Sequence, residues 1–471
     1  MKTIIKHGTI VTAETSYKAD ILIDGDVISQ IAEEIYDEEA QVIDAEGKLV
    51  LPGGVDPHVH LHLEMAGTVS SDDYYTGGKA AAFGGTTTVI DFVSQGPGSL
   101  EESVRTHRQF ADATTSIDYS SHMNITRFND QVAEQIAGLP ALGISTIKVF
   151  TAYNDRLRID DGDVFKAMRI AGKNDILTMV HAENGDVIEL LIKEALQAGH
   201  TQPIWHALTR PGWGAVEASL RAFALAAQAD APVYLVHMNM AGEVDQLKYA
   251  RSKGIYAMGE TCPQYLFFTD ENLQQPDGAK WICSPPMRSK DDNTGLWQGL
   301  EDGTIQVLAT DHCPFFFNGQ NPIEYEGEMI AIPGKELGKD DFTKIPNGLP
   351  GLGDRLPIFW THAVVTGRIT PELFVALTST NPAKIFGLYP QKGCLKPGSD
   401  ADIAIWDPNL SVKYGVDVAQ HRTDYNLYEG WNLKGMPVTI MQRGKILVEN
   451  GQWFGKPGQG KFLHRLSGEV L

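Results

Sequence analysis

Cysteine is scarce in this sequence, with four cysteines among 471 residues. No two of them form the C-x-x-C pair that is typical of a zinc knuckle or a redox motif. The spacing therefore gives no indication of a disulfide framework, and we expect reduced, buried thiols. The four are Cys262, Cys283, Cys313 and Cys394.

Basic residues are in deficit, since 39 Lys and Arg stand against 60 Asp and Glu and give a formal net charge of −21. Such an acidic chain is not typical of a protein that follows nucleic-acid phosphates. No apolar run approaches the roughly 18 residues that a membrane span needs. The first residues lead into a strand pattern rather than a cleavable signal. We therefore expect no nucleic-acid partner, no membrane partner and a cytoplasmic location.

Hydrophobic residues make up 42% of the chain and charged residues 21%, as in ordinary folded proteins. Both ends of the chain are rich in strand patterns. They cover 3–13, 19–24, 27–32 and 41–51 near the start, and 400–406, 437–443 and 445–448 near the end, with Asn450-Gly451 as a hairpin turn. Two strand-rich ends around a different middle predict one β-sandwich domain built from both termini.

Between these ends, short apolar or β-branched runs alternate with stretches of helical composition, such as 165–173 and 215–229. Eight such runs predict an α/β fold, a (β/α)8 TIM-like barrel. They are 55–61, 86–92, 118–125, 145–151, 177–183, 233–239, 254–262 and 306–313.

We predict four parts of the chain from these patterns. Residues 1–52 form the N-terminal part of the sandwich domain, 53–388 the barrel and 389–454 the C-terminal part of the sandwich. Residues 455–471 form an arm that contacts a neighbouring subunit. Within the barrel, 315–353 is rich in Gly, Pro and charge, which predicts a long loop over the barrel mouth.

Polar residues lie late in five of the eight predicted strands, where a parallel barrel places its active site. His58 and His60 are two apart, so in an extended strand their imidazoles point to the same side and can converge on one ion. Histidines and an aspartate at matching depths on other strands favour a metal centre over isolated surface histidines. The residues are His58, His60, Lys148, His181, His237 and Asp311.

Lys148 stands in a strand where a free ammonium would be costly to bury. A salt bridge to Asp311 or to another carboxylate is the first interpretation from spacing alone. The alternative is a carbamate, formed from the amine and carbon dioxide, whose two oxygens could each bind one cation. An unmodified ammonium between two cations would be repelled by both.

Ordered motifs along nearly the whole chain resemble those of dihydropyrimidinases and bacterial D-hydantoinases, which are cyclic amidases of the amidohydrolase superfamily. They include Pro-Gly-Gly-Val-Asp-Pro-His at 52–58, Ala-Ala-Phe-Gly-Gly-Thr-Thr-Thr at 81–88, His-Ala-Glu-Asn at 181–184, Gly-Glu-Thr-Cys-Pro-Gln-Tyr-Leu at 259–266, Ser-Pro-Pro-Met-Arg at 284–288, Thr-Asp-His-Cys-Pro at 310–314 and Asp-Phe-Thr-Lys-Ile-Pro-Asn-Gly at 341–348.

The resemblance implies a site with two zinc ions, or Mn²⁺ or Co²⁺ in their place. His58, His60 and Asp311 would hold one ion, and His181 and His237 the other. Lys148, modified to N6-carboxylysine, would bridge them.

Three further residues match substrate-binding positions of the family. Tyr153 matches the substrate tyrosine, although by pattern alone it could be a packed rim aromatic. Ser284 and Asn347 match positions whose main-chain groups hold the cyclic substrate, although by composition alone each favours an ordinary turn.

The implied activity is hydrolysis of the cyclic amide bond of 5,6-dihydropyrimidines and/or 5-monosubstituted hydantoins to N-carbamoyl amino acids. A metal-bridging hydroxide attacks the ring carbonyl. We expect Tyr153 to donate to the tetrahedral oxyanion and Asp311 to carry the proton to the leaving nitrogen. The partner is a small cyclic ureide or imide, and the resemblance implies a homotetramer.

Two alternatives to this function remain at this point. One is an allantoinase, whose substrate is also a cyclic ureide, and the other is a non-catalytic, dihydropyrimidinase-like scaffold. The loop 61–68 departs from the family pattern, and 316–339 is longer than we expect for the family. We expect His62 not to be a ligand, His312 and Cys313 to support the site, and His122 and Glu260 to be structural polar groups near the mouth.

Overall fold

The computed structural model describes residues 2–154, 156–319, 322–325 and 328–471. Its centre is a barrel of eight parallel strands, each hydrogen-bonded to the next. A bridge between Val59 and His312 joins the first strand to the chain that follows the last. The (β/α)8 prediction is confirmed. Barrel strands 1 to 8 are Gly54–Val59, Thr86–Val93, Asp118–Asn124, Thr146–Phe150, Leu177–His181, Val233–Leu235, Ala257–Thr261 and Val307–Leu308.

Barrel strands 6 and 8 are shorter than the runs 233–239 and 306–313 that predict them. Each stops before a residue in the left-handed region of φ, which is +37° at His237 and +54° at Asp311. Regular strand pairing ends where the backbone leaves the extended region. The two turns present these side chains at the carboxyl end of the barrel.

Helices follow the barrel strands and cover the outside of the barrel. The two predicted at 165–173 and 215–229 are present as Asp161–Lys173 and Gly212–Ala229, both slightly longer at the start. In the second of these, Ala218, Ala222 and Ala226 recur four residues apart and are buried. The other helices are Tyr74–Phe83, Leu100–Thr114, Asp130–Ile136, Gly185–Gln197, Ile204–Leu208, Ala241–Ser252, Pro263–Phe267, Lys290–Glu301, Arg355–Phe359, Pro371–Val375, Asn381–Ile385 and Val416–Ala419.

Two further sheets lie beside the barrel. One has the order Val27–Ala32, Asp20–Asp24, Lys2–Lys6, Gln41–Asp44. The other joins both ends of the chain, in the order Gln452–Trp453, Lys445–Glu449, Asn432–Gln442, Ile403–Lys413, Leu49–Pro52, Thr9–Val11, Ser16–Lys18.

A shared apolar core holds these two sheets together. Ile5 and Ile21 from the four-stranded sheet are buried in one cluster with Val50 and Ile403 from the seven-stranded sheet. Strands from both ends therefore contribute to one layered unit, as the pattern predicts. The exact domain boundaries stay predictions.

The arm 455–471 packs on the chain's own barrel. Phe462 pairs with Tyr119, and the buried guanidinium of Arg465 donates to Ser120 Oγ at 3.0 Å and Thr146 Oγ1 at 2.7 Å. These residues lie at the amino ends of barrel strands 3 and 4. A contact between the arm and a neighbouring subunit stays a prediction.

The segment 315–353, predicted as a long loop over the barrel mouth, contains short regular elements. The segment contains a hairpin, Pro322–Tyr325 with Glu328–Ala331, and two short 3-10 turns, Lys335–Gly338 and Phe342–Lys344. Ile323 and Ile332 pack with Phe316 against Val69, beside the small hairpin Glu64–Met65 with Thr68–Val69. A local apolar cluster therefore orders the segment. The high content of Gly, Pro and charged residues did not indicate this order.

Candidate active site

The carboxyl end of the barrel brings together three of the predicted metal ligands. His58 Nε2 lies 3.1 Å from Asp311 Oδ1, and His60 Nε2 lies 3.2 Å from the same oxygen. One ligand atom from each of the three side chains lies within 4.8 Å of the others. Three donors at this separation can share one cation.

The remaining predicted ligands adjoin this group. His181 Nδ1 lies 3.0 Å from His237 Nε2, and the rings of His58 and His237 have centres 5.3 Å apart. Lys148 Nζ lies 3.1 Å from His58 Nε2 and 4.2 Å from the centre of the Phe92 ring. Among the described residues, Lys148 has no carboxylate within ion-pair distance, so the salt bridge to Asp311 that spacing favours is not formed.

Two buried glutamates orient the histidines from behind. His58 Nδ1 contacts Glu260 Oε1, and the other oxygen of that carboxylate accepts a hydrogen bond from Tyr234 at 2.9 Å. His181 Nε2 lies 2.9 Å from Glu183 Oε2. Each contact occupies one imidazole nitrogen and leaves the other facing the centre of the site, which is the usual support of a metal-ligating histidine.

Sequence reasoning missed both of these roles. It placed Glu260 near the mouth as a structural polar group and gave Glu183 no role, whereas the structure sets both carboxylates against ligand candidates. A signal existed for Glu183, because it stands two residues after His181 and extended residues two apart face the same side. Glu260 and His58 are 202 residues apart, so no local pattern links them.

Burial and neighbouring charges set the pKa values of the site. Burial would raise the pKa of Asp311, but the imidazoles of His58 and His60 hold it well below its usual range. Burial lowers the pKa of His60 to about 4, against the opposing effect of Asp311. Burial also lowers the pKa of Lys148 to about 8. A neutral His60 imidazole and an ionised Asp311 carboxylate are the protonation states in which these groups ligate metals.

Three of the predicted site residues have positive φ: Tyr153 at +66°, His237 at +37° and Asp311 at +54°. Non-glycine residues in this region carry strain that the surrounding structure must hold, and such residues cluster at functional sites. The strained turns aim all three side chains into one cavity.

That cavity has a volume of about 230 Å³. Its lining includes the ligand candidates His60, Lys148, His181, His237 and Asp311. Apolar residues line it as well. They are Leu63, Met65, Ala66, Phe150, Leu157 and Ile345.

The three predicted substrate residues also line this cavity. The ring of Tyr153 lies 5.0 Å from that of His181, and burial raises the pKa of its phenol. Asn347 Nδ2 donates to Ser284 Oγ at 3.1 Å, so the two segments that carry them are in direct contact. Tyr153 thus offers a protonated hydroxyl close to the ligand candidates.

The donor set fits divalent cations. Two imidazole nitrogens and a carboxylate oxygen converge in the first group, two imidazoles in the second, and Lys148 lies beside them. Histidine and carboxylate ligands are those of catalytic zinc sites. This cluster therefore indicates a divalent metal site.

A second acidic cluster has a different explanation. Asp118, Asp400 and Asp402 lie together at the amino end of barrel strand 3. Lys392 Nζ lies 2.7, 2.9 and 2.8 Å from their carboxylates, respectively. The ammonium takes the place that a metal cation would need, so this cluster is a buried ion-pair network.

The remaining residues that the sequence singled out surround the site. His62 stacks on Phe110, with ring centres 4.0 Å apart, away from the ligand group. His122 binds Pro57 O at 2.8 Å, deep in the barrel rather than at its mouth. His312, next to Asp311 in the chain, has its Nε2 3.3 Å from Asp72 Oδ2, and its Nδ1 accepts a hydrogen bond from the Gly351 amide. Cys313 lines the cavity.

Comparison with known proteins extends this picture. A model of the amidohydrolase family matches residues 49–447. The chain is 43% identical to the D-hydantoinase of Geobacillus stearothermophilus, over 99% of this chain and 97% of that protein. It is 41% identical to the D-hydantoinase of Ralstonia pickettii over 99% of both. The crystal structure of dihydropyrimidinase from Brevibacillus agri NCHU1002 matches 100% of both chains with a TM-score of 0.95 and 43% identity.

The barrel with its histidine and aspartate cluster is the architecture of a hydrolase class, and this chain belongs to the amidohydrolase family. Within that family its full-length relatives make it a cyclic amidohydrolase. The resemblance drawn from the sequence motifs is confirmed, and hydantoinase or dihydropyrimidinase chemistry is favoured over an allantoinase or a scaffold. Among the described residues, no helix is both long and apolar enough to cross a bilayer.

Proposed function

We propose that this protein hydrolyses the cyclic amide bond of 5-monosubstituted hydantoins and of 5,6-dihydropyrimidines, which gives N-carbamoyl amino acids. The observation that carries the proposal is the single cavity that joins the ligand candidates His60, His181, His237 and Asp311 to Tyr153. A C–O bond forms at the ring carbonyl, the ring C–N bond breaks, and one water molecule is consumed.

We propose that the site holds two divalent cations, zinc first and Mn²⁺ or Co²⁺ as alternatives. His58, His60 and Asp311 would hold one, and His181 and His237 the other, with Lys148 carboxylated between them. The position of Lys148 beside His58, in a site without a carboxylate partner for its ammonium among the described residues, supports this arrangement. Bound cations would lower the pKa of water to about 7 and polarise the substrate carbonyl.

The side chains then have distinct tasks. Asp311, ionised and aimed into the cavity, accepts the proton of the attacking water and delivers it to the ring nitrogen, since an amide nitrogen must be protonated to leave. Tyr153, whose phenol keeps its proton at neutral pH, donates a hydrogen bond to the oxyanion. The main-chain groups of Ser284 and Asn347 hold the cyclic ureide or imide in place.

The apolar residues of the cavity lining accommodate the ring substituent, and they include Leu63, Phe150 and Leu157. An apolar wall favours aliphatic or aromatic substituents over charged ones. Because the relatives at 41–43% identity are D-hydantoinases, we propose a preference for the D enantiomer.

A kinetic panel on zinc-loaded protein, supplied with bicarbonate, tests the proposal. Dihydrouracil, D- and L-5-substituted hydantoins and allantoin are compared by their kcat/KM, and metal content is measured on the same sample. We expect the hydantoins or dihydrouracil to dominate, with about two metal ions per chain. A dominant rate on allantoin would overturn the substrate assignment, and a metal-free, inert chain would support the scaffold alternative.

We also propose that the protein is a cytoplasmic homotetramer, as the family resemblance implies. The arm 455–471 lies along the barrel surface, where residues such as Leu466 are exposed and free to meet a neighbouring subunit. Light scattering coupled to size exclusion measures the subunit number. A monomer at micromolar concentration would contradict this part of the proposal.

A further inference from the structure

Lys335 is a buried lysine whose side-chain hydrogen bonds, among the described residues, all go to main-chain carbonyls. Its side chain is in the 3-10 turn Lys335–Gly338, with 1% of its surface exposed. Its Nζ donates to Ile282 O at 3.0 Å and to Pro346 O at 3.0 Å. Among the described residues no carboxylate forms an ion pair with it. Burial without a counterion disfavours the charged form and lowers the pKa of this amine to about 7, and its hydrogen bonds to the two carbonyls offset part of the cost of burying it.

The two carbonyls belong to the segments that carry the proposed substrate residues. Ile282 precedes Ser284 by two residues, and Pro346 directly precedes Asn347. Both Ser284 and Asn347 line the cavity. The ammonium of Lys335 therefore bridges the two segments from behind, on the side away from the substrate.

Two direct contacts join the same segments. The Gly348 amide donates to Ile282 O at 3.1 Å, so this oxygen accepts two hydrogen bonds, one from Gly348 and one from Lys335. Asn347 Nδ2 donates to Ser284 Oγ at 3.1 Å. Together with the two hydrogen bonds of Lys335, these contacts hold the segments of Ser284 and Asn347 side by side. Loss of the Lys335 amine would leave two weaker hydrogen bonds between uncharged groups.

The surroundings hold Lys335 tightly in place. Its own amide donates to Phe316 O at 2.8 Å, in the chain that leaves barrel strand 8. A Cβ at Gly348 would lie 2.2 Å from Cys313 O, so the second segment is pressed against the same stretch of chain. The main chain of Lys335 is thus fixed to the stretch after barrel strand 8, while its side chain joins the segments of Ser284 and Asn347.

We propose that Lys335 is a positioning residue that holds Ser284 and Asn347 at the spacing the cyclic substrate requires. The inference rests on the proposed function, because it takes these two residues as the substrate cradle. Lys335 does not line the cavity and reaches the substrate only through the two segments. Its loss should therefore weaken substrate binding while leaving the ligand group unchanged.

The test compares Lys335→Met, which keeps the length of the side chain but removes its donors, with Lys344→Met, an exposed lysine nine residues away. For Lys335→Met we expect KM for dihydrouracil or a 5-substituted hydantoin to rise about tenfold to a hundredfold, the effect of losing charged hydrogen bonds. We expect kcat to change less than about threefold and the metal content to stay at the wild-type value. Lys344→Met should match the wild type in all three.

Hydrogen exchange gives a readout that does not depend on activity. In Lys335→Met the Gly348 amide should exchange faster than in the wild type, because its acceptor segment is no longer fixed. Lys335→Gln, which retains one uncharged donor, should give intermediate exchange and KM, and it serves as the test variant if the methionine variant does not fold.

Unchanged exchange and unchanged KM would overturn the positioning role, and so would a loss of metal with KM unaltered. If the wild type opens none of the cyclic substrates, the proposed function fails. The exchange comparison then still decides whether Lys335 holds the two segments together.

Discussion

His181 Nε2 lies 2.9 Å from Glu183 Oε2, and this contact leaves Nδ1 of the same ring facing His237 at 3.0 Å. The carboxylate therefore selects which nitrogen of His181 is available to a metal. The pair is buried, with 2–3% of each side chain exposed, so the contact is protected from screening by solvent.

We expect Glu183→Gln to lower metal affinity about tenfold to a hundredfold, as for other residues that orient metal-ligating histidines. The amide keeps the size of the side chain but loses the charge that orients and polarises the imidazole. Titration with a fluorescent zinc chelator measures the change. Glu189→Gln, on the exposed face of the following helix, is the control. Equal affinity in the wild type and Glu183→Gln would rule out this orienting role.

Lys148→Ala removes the proposed bridge between the two cations. We expect kcat/KM to fall by at least about a hundredfold, because a ligand is lost rather than a residue that supports one. A short carboxylic acid such as acetate or propionate should restore part of the activity and of the metal content, since its two oxygens replace those of the carbamate.

The control for this experiment is Lys166→Ala, an exposed lysine with 55% of its side chain accessible. Mass spectrometry of the intact wild-type protein under mild conditions supplies a second measurement, which should show the added mass of carbon dioxide. Full activity of Lys148→Ala without any added acid would exclude the bridging role.

Tyr153→Phe tests the proposed oxyanion donor. The variant keeps the ring that packs near His181 and removes only the hydroxyl, so kcat should fall about 10²–10³-fold while metal content stays the same. Tyr249→Phe, on the protein surface, should be unaffected. A change in KM alone would assign Tyr153 to substrate binding rather than to the transition state.

The positions of the ligand candidates could be predicted from sequence because each lies in a barrel strand or within three residues of its carboxyl end. A parallel barrel brings the carboxyl ends of all its strands to one face, so His58, His181 and Asp311 meet there although they are far apart in the chain. The strand pattern alone specifies this convergence. It does not specify strand length at His237 and Asp311, where positive φ ends the strands early.

Contacts between distant segments could not be predicted in this way. Glu260 reaches His58 across 202 residues, and Lys335 reaches Ile282 across 53, with no periodicity or spacing that links either pair. Glu260 sits within a strand, where a polar residue has several possible partners. Lys335 lies in the segment whose composition predicts a loop, and a loop lysine is ordinarily solvated.

Lys392 provides a test of stability rather than of catalysis. Its ammonium lies within 2.9 Å of the carboxylates of Asp118, Asp400 and Asp402. Lys392→Met would remove this shared cation and leave only the Arg443 guanidinium, which lies 2.9 Å from Asp118. Removing one partner of a buried ion pair typically costs about 3–5 kcal/mol. We expect that loss in the free energy of unfolding at pH 7, measured by urea denaturation, with the exposed Lys413→Met as control.

The effect should depend on pH in a defined direction. Burial would lower the pKa of Lys392, but the three carboxylates raise it above its ordinary value of 10.5. The stabilisation is therefore complete below pH 10.5 and declines as the pH rises above that value, where the unfolded chain loses the proton that the folded chain retains. The difference in the free energy of unfolding between the wild type and Lys392→Met should therefore become smaller above pH 10.5. A gap that widens there would contradict the assigned charge of Lys392.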